Sequence, residues 1–159
     1  VYVYGTYDAE GNRFDAFATP VKEGDIVTVC GVKTSYKDSP QMKNVTVEKH
    51  IQVAPVSVAD FLAAPVAGDV YYSLTGTMAN IVMDKADPTL QNAYGNFDIV
   101  DESGSVYVYG LLSGWGGPKQ MFRELNLVEG DKITIVGVRA DYKGTAQVGS
   151  AFFVKKIEE

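Results

Sequence analysis

The sequence predicts an all-β protein: a five-stranded Greek-key barrel with short helices at residues 68–159, preceded by an incomplete copy of the same unit. Three observations lead there. The chain repeats itself at a fixed offset, its apolar residues come in short β-branched and aromatic runs broken by glycine turns, and no stretch keeps a helical period for long.

The repeat is read by laying the chain on itself. Val1-Tyr2-Val3-Tyr4-Gly5 returns as Val106-Tyr107-Val108-Tyr109-Gly110, a shift of 105, and Glu23-Gly24-Asp25 returns as Glu129-Gly130-Asp131, a shift of 106. At that second shift Thr28, Gly31, Val32, Tyr36, Lys37, Gln41, Lys49 and Ile51 meet Thr134, Gly137, Val138, Tyr142, Lys143, Gln147, Lys155 and Ile157. Two strand candidates precede Val106 and have no counterpart before Val1. The expected organisation is therefore the C-terminal half of a unit at 1–54, a short helical joint at 55–67 and a complete unit at 68–159. A segment upstream or a packed or swapped partner is expected to complete the first unit, because half a barrel leaves strand edges unpaired.

Each element of the complete unit has a local cause. Asp69 to Met83 reads as a long curved first strand with Gly76 at its bend, and Asp84 to Ala93 as a polar loop. Asn96 to Val100 is the second strand, and Asp101-Glu102-Ser103-Gly104 turns into a third at Ser105 to Leu111, an antiparallel hairpin. Alternation places Val106 and Val108 in the core and Tyr107 and Tyr109 outward. A helical turn is expected within Lys119 to Leu127, before Glu129-Gly130-Asp131 leads into strand four at Lys132 to Arg139. Asp141-Tyr142-Lys143-Gly144 is the last turn, and strand five runs from Thr145 to Lys155. In the joint, Ser57 and Asp60 have capping-box spacing, Phe61 and Leu62 are expected to pack on a barrel, and Pro65 ends the helix.

Composition narrows the function. Twenty acidic groups against 14 basic ones give a net charge of -6, which opposes non-specific attraction to phosphate polymers and anionic membranes. No apolar stretch is long enough for a membrane span. Cys30 is the sole cysteine, which excludes an intrachain disulfide, and its strand-like setting predicts a packed, inert thiol. Cytoplasmic and exported settings both fit such a sequence.

The run Phe97-Asp98-Ile99-Val100-Asp101-Glu102-Ser103-Gly104-Ser105-Val106-Tyr107-Val108 resembles the strand-turn-strand signature of nucleic-acid-binding OB-fold domains, replication protein A-like and anticodon-binding-like among them. Val128-Glu129-Gly130-Asp131, Ile135-Val136-Gly137-Val138 and Tyr142-Lys143-Gly144 resemble their strand four and final hairpin. The duplicated arrangement is similar to tandem OB-fold proteins of Bacteroidetes that lack an assigned role, several of them exported. The resemblance implies a ligand laid across strands two and three and bracketed by the 84–93 and 141–145 loops. On that surface Tyr107, Tyr109, Trp115 and Tyr142 form a stacking platform, Leu111 takes a position often aromatic in the family, and Arg123, Arg139 and Lys143 are the expected phosphate partners. Tyr2 and Tyr4 repeat part of the platform in the first unit.

The ligand expected from the resemblance is single-stranded nucleic acid. Tyr107 and Leu111 depart from the family pattern, and an aromatic surface poor in cations equally suits a protein or a glycan. No catalytic constellation, cofactor motif or metal cluster emerges. His50 has no second histidine, Asp8, Glu10, Asn12 and Asp15 read as a solvated turn, and the repeated Glu-Gly-Asp motifs read as turns into strands.

Overall fold

A computed structural model describes residues 1–158, and its regular structure is mostly β. The chain divides into two compact units, Val1–Gln52 and a second from Val53 onward, so the helical joint belongs to the second unit.

The first unit is a three-stranded sheet in the order β1-β3-β2, with β1 at Tyr2–Tyr7, β2 at Ile26–Tyr36 and β3 at Ser39–Ile51. β1 runs parallel to β3 with Tyr2 opposite Gln41, and β2 pairs antiparallel with β3 through a tight hairpin. Lys37 and Asp38 take left-handed backbone (φ 46° and 63°) at its tip, the geometry that suits the twist of a two-residue hairpin.

The second unit begins with β4 (Ala54–Pro55) and helix α1 (Val58–Ala63), followed by β5 (Tyr71–Ala79), β6 (Phe97–Asp101), β7 (Gly104–Val108), β8 (Leu111–Leu112), β9 (Lys132–Tyr142) and β10 (Thr145–Lys156). β5 pairs with β6, β6 with β7, β7 with β10, β10 with β9, and β9 with β5 again, so the hydrogen-bonded circuit returns to its starting strand. Inside it, Leu74, Met78, Phe97, Ile99, Val108, Ile133 and Ile135 are almost completely buried. Gly76 marks a close approach: a Cβ there would stand 2.5 Å from Val100 O.

Strand ends move modestly from their predicted places. β5 stops at Ala79 instead of Met83, and the third strand breaks after Val108, where Gly110 (φ 80°) turns the chain before β8. The expected helical turn is a short 3-10 segment, Phe122–Leu125. Helix α1 is capped as expected, with Ser57 Oγ accepting from Asp60 N at 3.1 Å. Phe61 is buried edge-on against Tyr72, but Leu62 is exposed. A six-residue helix has one inward stripe, and Val58 and Phe61, three positions apart, occupy it. Asp101 ties that helix to the β6-β7 turn, because its carboxylate accepts from Val58 N, Ser103 N, Ser103 Oγ and Gly104 N.

The two units share local geometry at the offsets of the sequence repeat. Tyr107 stands opposite Gln147 as Tyr2 stands opposite Gln41, both in parallel pairs. Left-handed backbone occurs at Gly5 and Gly110, Gly24 and Gly130, Lys37 and Lys143, Asp38 and Gly144, and Asn44 and Ser150. Asp25 accepts from Lys22 N at 2.9 Å and pairs with His50 Nε2 at 2.8 Å; Asp131 accepts from Val128 N at 2.9 Å and pairs with Lys156 Nζ at 2.7 Å. The Glu-Gly-Asp motifs are thus turns, each closed by an aspartate that holds the end of the last strand.

The largest difference from expectation is at Cys30, which is exposed. Its counterpart Val136 is fully buried and paired with Ser73 of β5, a strand that has no equivalent beside β2 among the described residues. No helix of the described residues is long and apolar enough to cross a membrane.

Candidate functional site

The outward face of β6, β7 and β10 carries Asp98, Tyr107 and Gln147 side by side, fixed by the pairs Asp98-Tyr107 and Tyr107-Gln147. As the alternation predicts, Val106 and Val108 are buried and the tyrosines point away from the core. Tyr107 is half-buried: burial pushes its phenol up from the ordinary value of 10.0, a hydrogen bond from Asn96 opposes that, and the Asp98 charge and Tyr109 add to the rise. Asp98 also accepts from Asn80 Nδ2 at 2.8 Å, so a carboxylate stands next to Tyr107.

Tyr109 lies just beyond β7, held by its amide donating to Val148 O at 3.0 Å, and is 62% exposed. Leu111 does not join it on the surface. Its pairing with Ala151 in β8 turns it inward, and it is 1% exposed within the core. Trp115 is half-exposed, yet its ring lies edge-on against Tyr71 at 5.0 Å and Phe152 at 5.6 Å, so it leans on β5 and β10. Tyr142 and Lys143 sit at the β9-β10 hairpin tip with Lys143 Nζ 5.3 Å from the ring centre, a cation-π pair that Tyr36 and Lys37 reproduce at 5.4 Å in the first unit. Tyr2 and Tyr4 are exposed on β1 of the first unit, across from Gln41 and Lys43.

Two expected phosphate partners are already engaged. Arg123 donates from Nε to Gln91 O and from Nη2 to Asp84 Oδ2, each at 2.7 Å, and so clamps the 84–91 loop. Arg139 turns its guanidinium to its own main chain, with Nη1 donating to Ala140 O and Nε buried without a partner among the described residues.

What the structure gathers is a cleft of about 410 Å³ beside Tyr109, whose polar lining comes from Tyr94, Asn96, Lys119, Gln120 and Ser150, with Leu111 at its floor. None of the residues lining it carries a carboxylate. Tyr94, 46% exposed, stands on the loop before β6 and accepts from Gln120 Nε2 at 2.5 Å through its hydroxyl. Asn96 Oδ1 is buried and has no hydrogen-bond partner among the described residues. Around the rim Gly110, Gln120 and Ser150 are left-handed (φ 80°, 68° and 48°), the last two at a cost that L residues with side chains rarely accept.

The cleft wall is stiff for local reasons. Gly95 (φ 74°) lies so close to Phe122 that a Cβ there would stand 2.3 Å from the ring, and Leu111 N donates to Tyr94 O at 2.8 Å. Tyr94, Asn96, Lys119, Gln120 and Ser150 escaped sequence reasoning. The Tyr94-Gly95-Asn96 triplet was the available signal, an aromatic beside a glycine late in a long polar loop.

No group of three or more histidine, cysteine or acidic side chains is placed to hold a metal among the described residues. In the 8–15 turn the Asp8 carboxylate is engaged by its own loop: it accepts from Asn12 N, Asn12 Nδ2 and Glu10 N, and the Asn12 side-chain amide is the main cause holding its pKa below 3.8. No protein-family model and no curated protein matches the chain.

Proposed function

We propose that the second unit is a non-catalytic binding module of the OB type that takes an uncharged, ring-bearing ligand, a glycan in the reading favoured here, in the Tyr94-Tyr109 cleft. The observation that carries the reading is the cleft itself: two exposed phenols flank the amides of Asn96 and Gln120 and the Ser150 hydroxyl, with one ammonium, Lys119, and no carboxylate. Exposed aromatic faces stack on sugar rings, and the side chains of Gln120 and Ser150 offer hydrogen bonds to ring hydroxyls. The OB-type, Greek-key barrel reading is supported by the closed strand circuit and by the 3-10 turn between β8 and β9. Matching registers and left-handed positions support reading the two units as tandem copies, with the first short of counterparts to β5 and β6.

Single-stranded nucleic acid is the second reading, favoured by the resemblance and by a ring-sized cleft with Lys119 at its edge. Stacking would contribute about 1–3 kcal/mol per base. Against it stand Asp98 beside Tyr107, the internal engagement of Arg123 and Arg139, and the net charge of -6. An exported or surface-associated role suits the glycan reading. The test is calorimetric titration with neutral oligosaccharides of several linkages and with a mixed single-stranded DNA oligonucleotide at two salt concentrations. Saturable saccharide binding that Tyr109→Ala weakens supports the glycan reading; DNA binding weakened by the same change replaces it with the second; binding of neither sinks both.

A further inference from the structure

The cleft of the second unit is chemically uneven. Leu111, Leu112 and Ala151 give it an apolar floor, Tyr94, Gln120 and Ser150 supply neutral polar groups, and Lys119 is its one charged residue. Asn96 lines the cleft too, but its side chain hydrogen-bonds Tyr107 and its Oδ1 is buried. Gln120, which is exposed, is therefore the side-chain amide left to meet a ligand.

Tyr94 and Gln120 are tied together in one direction only. Gln120 Nε2 donates to the Tyr94 hydroxyl at 2.5 Å, which uses one amide hydrogen and one lone pair of the phenol. Neither side chain makes another hydrogen bond among the described residues, so Gln120 Oε1 stays an acceptor and the Tyr94 O–H stays a donor. A donor and an acceptor side by side match a secondary amide, which offers one C=O and one N–H. The pair is also held in place. Tyr94 N donates to Asn92 Oδ1 and Tyr94 O accepts from Leu111 N, each at 2.8 Å. Gln120 presents its side chain from left-handed backbone (φ 68°), a conformation that glycine would adopt at no steric cost.

We propose that the cleft selects sugars that carry an acetamido group, with the amide meeting Tyr94 and Gln120 and the methyl lying on the apolar floor. This rests on the glycan reading above and names the class of glycan. A hydroxyl in the same place can also meet the Tyr94-Gln120 pair, but it leaves the floor bare, whereas the acetyl methyl covers it. A free amine is rejected by charge. Lys119 repels an ammonium, and no carboxylate lines the cleft to hold one.

Three trisaccharides of one linkage, differing only in the substituent beside the anomeric carbon, separate these cases: chitotriose carries acetamido, its deacetylated form in mildly acidic buffer carries ammonium, and cellotriose carries hydroxyl. In calorimetric titration of the full chain, chitotriose should bind at least about tenfold more tightly than cellotriose, and the amine form should give no saturable heat. Gln120→Glu keeps the size of the side chain but takes up the Tyr94 O–H as an acceptor and brings a negative charge into the cleft. Chitotriose should then weaken about three- to tenfold, and the amine form should begin to bind. Gln120→Gly should weaken chitotriose as well while keeping or raising the denaturant midpoint, because glycine suits the left-handed backbone; the loss of binding is then not a loss of fold. Cellotriose, or another neutral oligosaccharide without acetamido groups, binding as tightly as chitotriose overturns the proposal and leaves the glycan reading standing. Chitotriose binding that Gln120→Glu leaves unchanged does the same. If no neutral saccharide binds, the glycan reading fails and the proposal falls with it.

Discussion

Val27 and Ile133 hold the same place in two halves of one sequence, yet one is over a third exposed and the other wholly buried. The strands that carry them are alike in composition: β2 is Ile-Val-Thr-Val-Cys-Gly-Val and β9 is Lys-Ile-Thr-Ile-Val-Gly-Val in their first seven residues. Six consecutive residues of β9 are buried, whereas β2 buries Ile26 alone. Burial is thus a property of what lies beside a strand. In the second unit β5 and β6 close the circuit and turn both strands' apolar residues into a core; in the first, the same pattern remains a surface.

Core truncation should break this comparison most sharply. Phe122→Ala removes the ring that stacks on Phe97 and supports Gly95, and should cost the second unit about 3–5 kcal/mol in denaturant unfolding. Ile133→Ala should cost about 2–5 kcal/mol, whereas Val27→Ala at the matching position should change stability by less than about 1 kcal/mol. Equal losses at the two positions would contradict the difference in burial. These readings need probes in each unit, because a chain of two compact units has no obligation to unfold in one step.

Asp101 sharpens the comparison at the level of single bonds. Burial alone would raise its pKa, but the Ser103 hydroxyl and the Val58, Ser103 and Gly104 amides together hold it below 3.8. A carboxyl with a lowered folded pKa contributes stability above its unfolded value, and that contribution is lost as pH falls through the folded pKa. Asp101→Ala should therefore cost about 0.5–1.5 kcal/mol near neutral pH, with a smaller deficit in acid, measured by urea midpoints across pH 2 to 7. A pH-independent deficit would assign the loss to packing instead.

The pairs Asp131-Lys156 and Asp25-His50, 106 positions apart, offer a finer contrast. Lys156 is the first cause holding the Asp131 pKa down, and its ammonium is almost half exposed. Lys156→Ala should cost only about 0–1 kcal/mol and less at high salt. The smallest effect is expected at the hairpin tip, where Lys143→Ala removes an exposed cation-π contact and should shift stability by about 0.5–1 kcal/mol or less.

Many of the strands were legible because each strand writes its own period. The alternation in Val106-Tyr107-Val108 told which side chains face inward, and Lys143-Gly144 announced a turn whose tip does have left-handed backbone. Single side chains near element ends were harder. Leu62 was placed inward for its hydrophobicity, and Leu111 outward by analogy; the short helix has room for one stripe, and β8 pairs with β10 so as to turn Leu111 to the core. Arg123 was read as free because its partners, Gln91 O and Asp84, lie more than thirty positions away. The cleft draws on four separate segments, from Tyr94 to Ala151, and no local pattern joins them.

By itself the sequence determined the all-β character, the repeated spacing of strands and turns, the caps and the two-residue hairpins, since each depends on neighbours a few positions apart. The tertiary structure decided which of two matching strands becomes core, where Cys30 and Leu111 point, which arginines remain available and where a ligand-sized cleft opens. Those outcomes depend on whether a distant strand lies alongside, and pairing across the chain is a property that no residue carries alone.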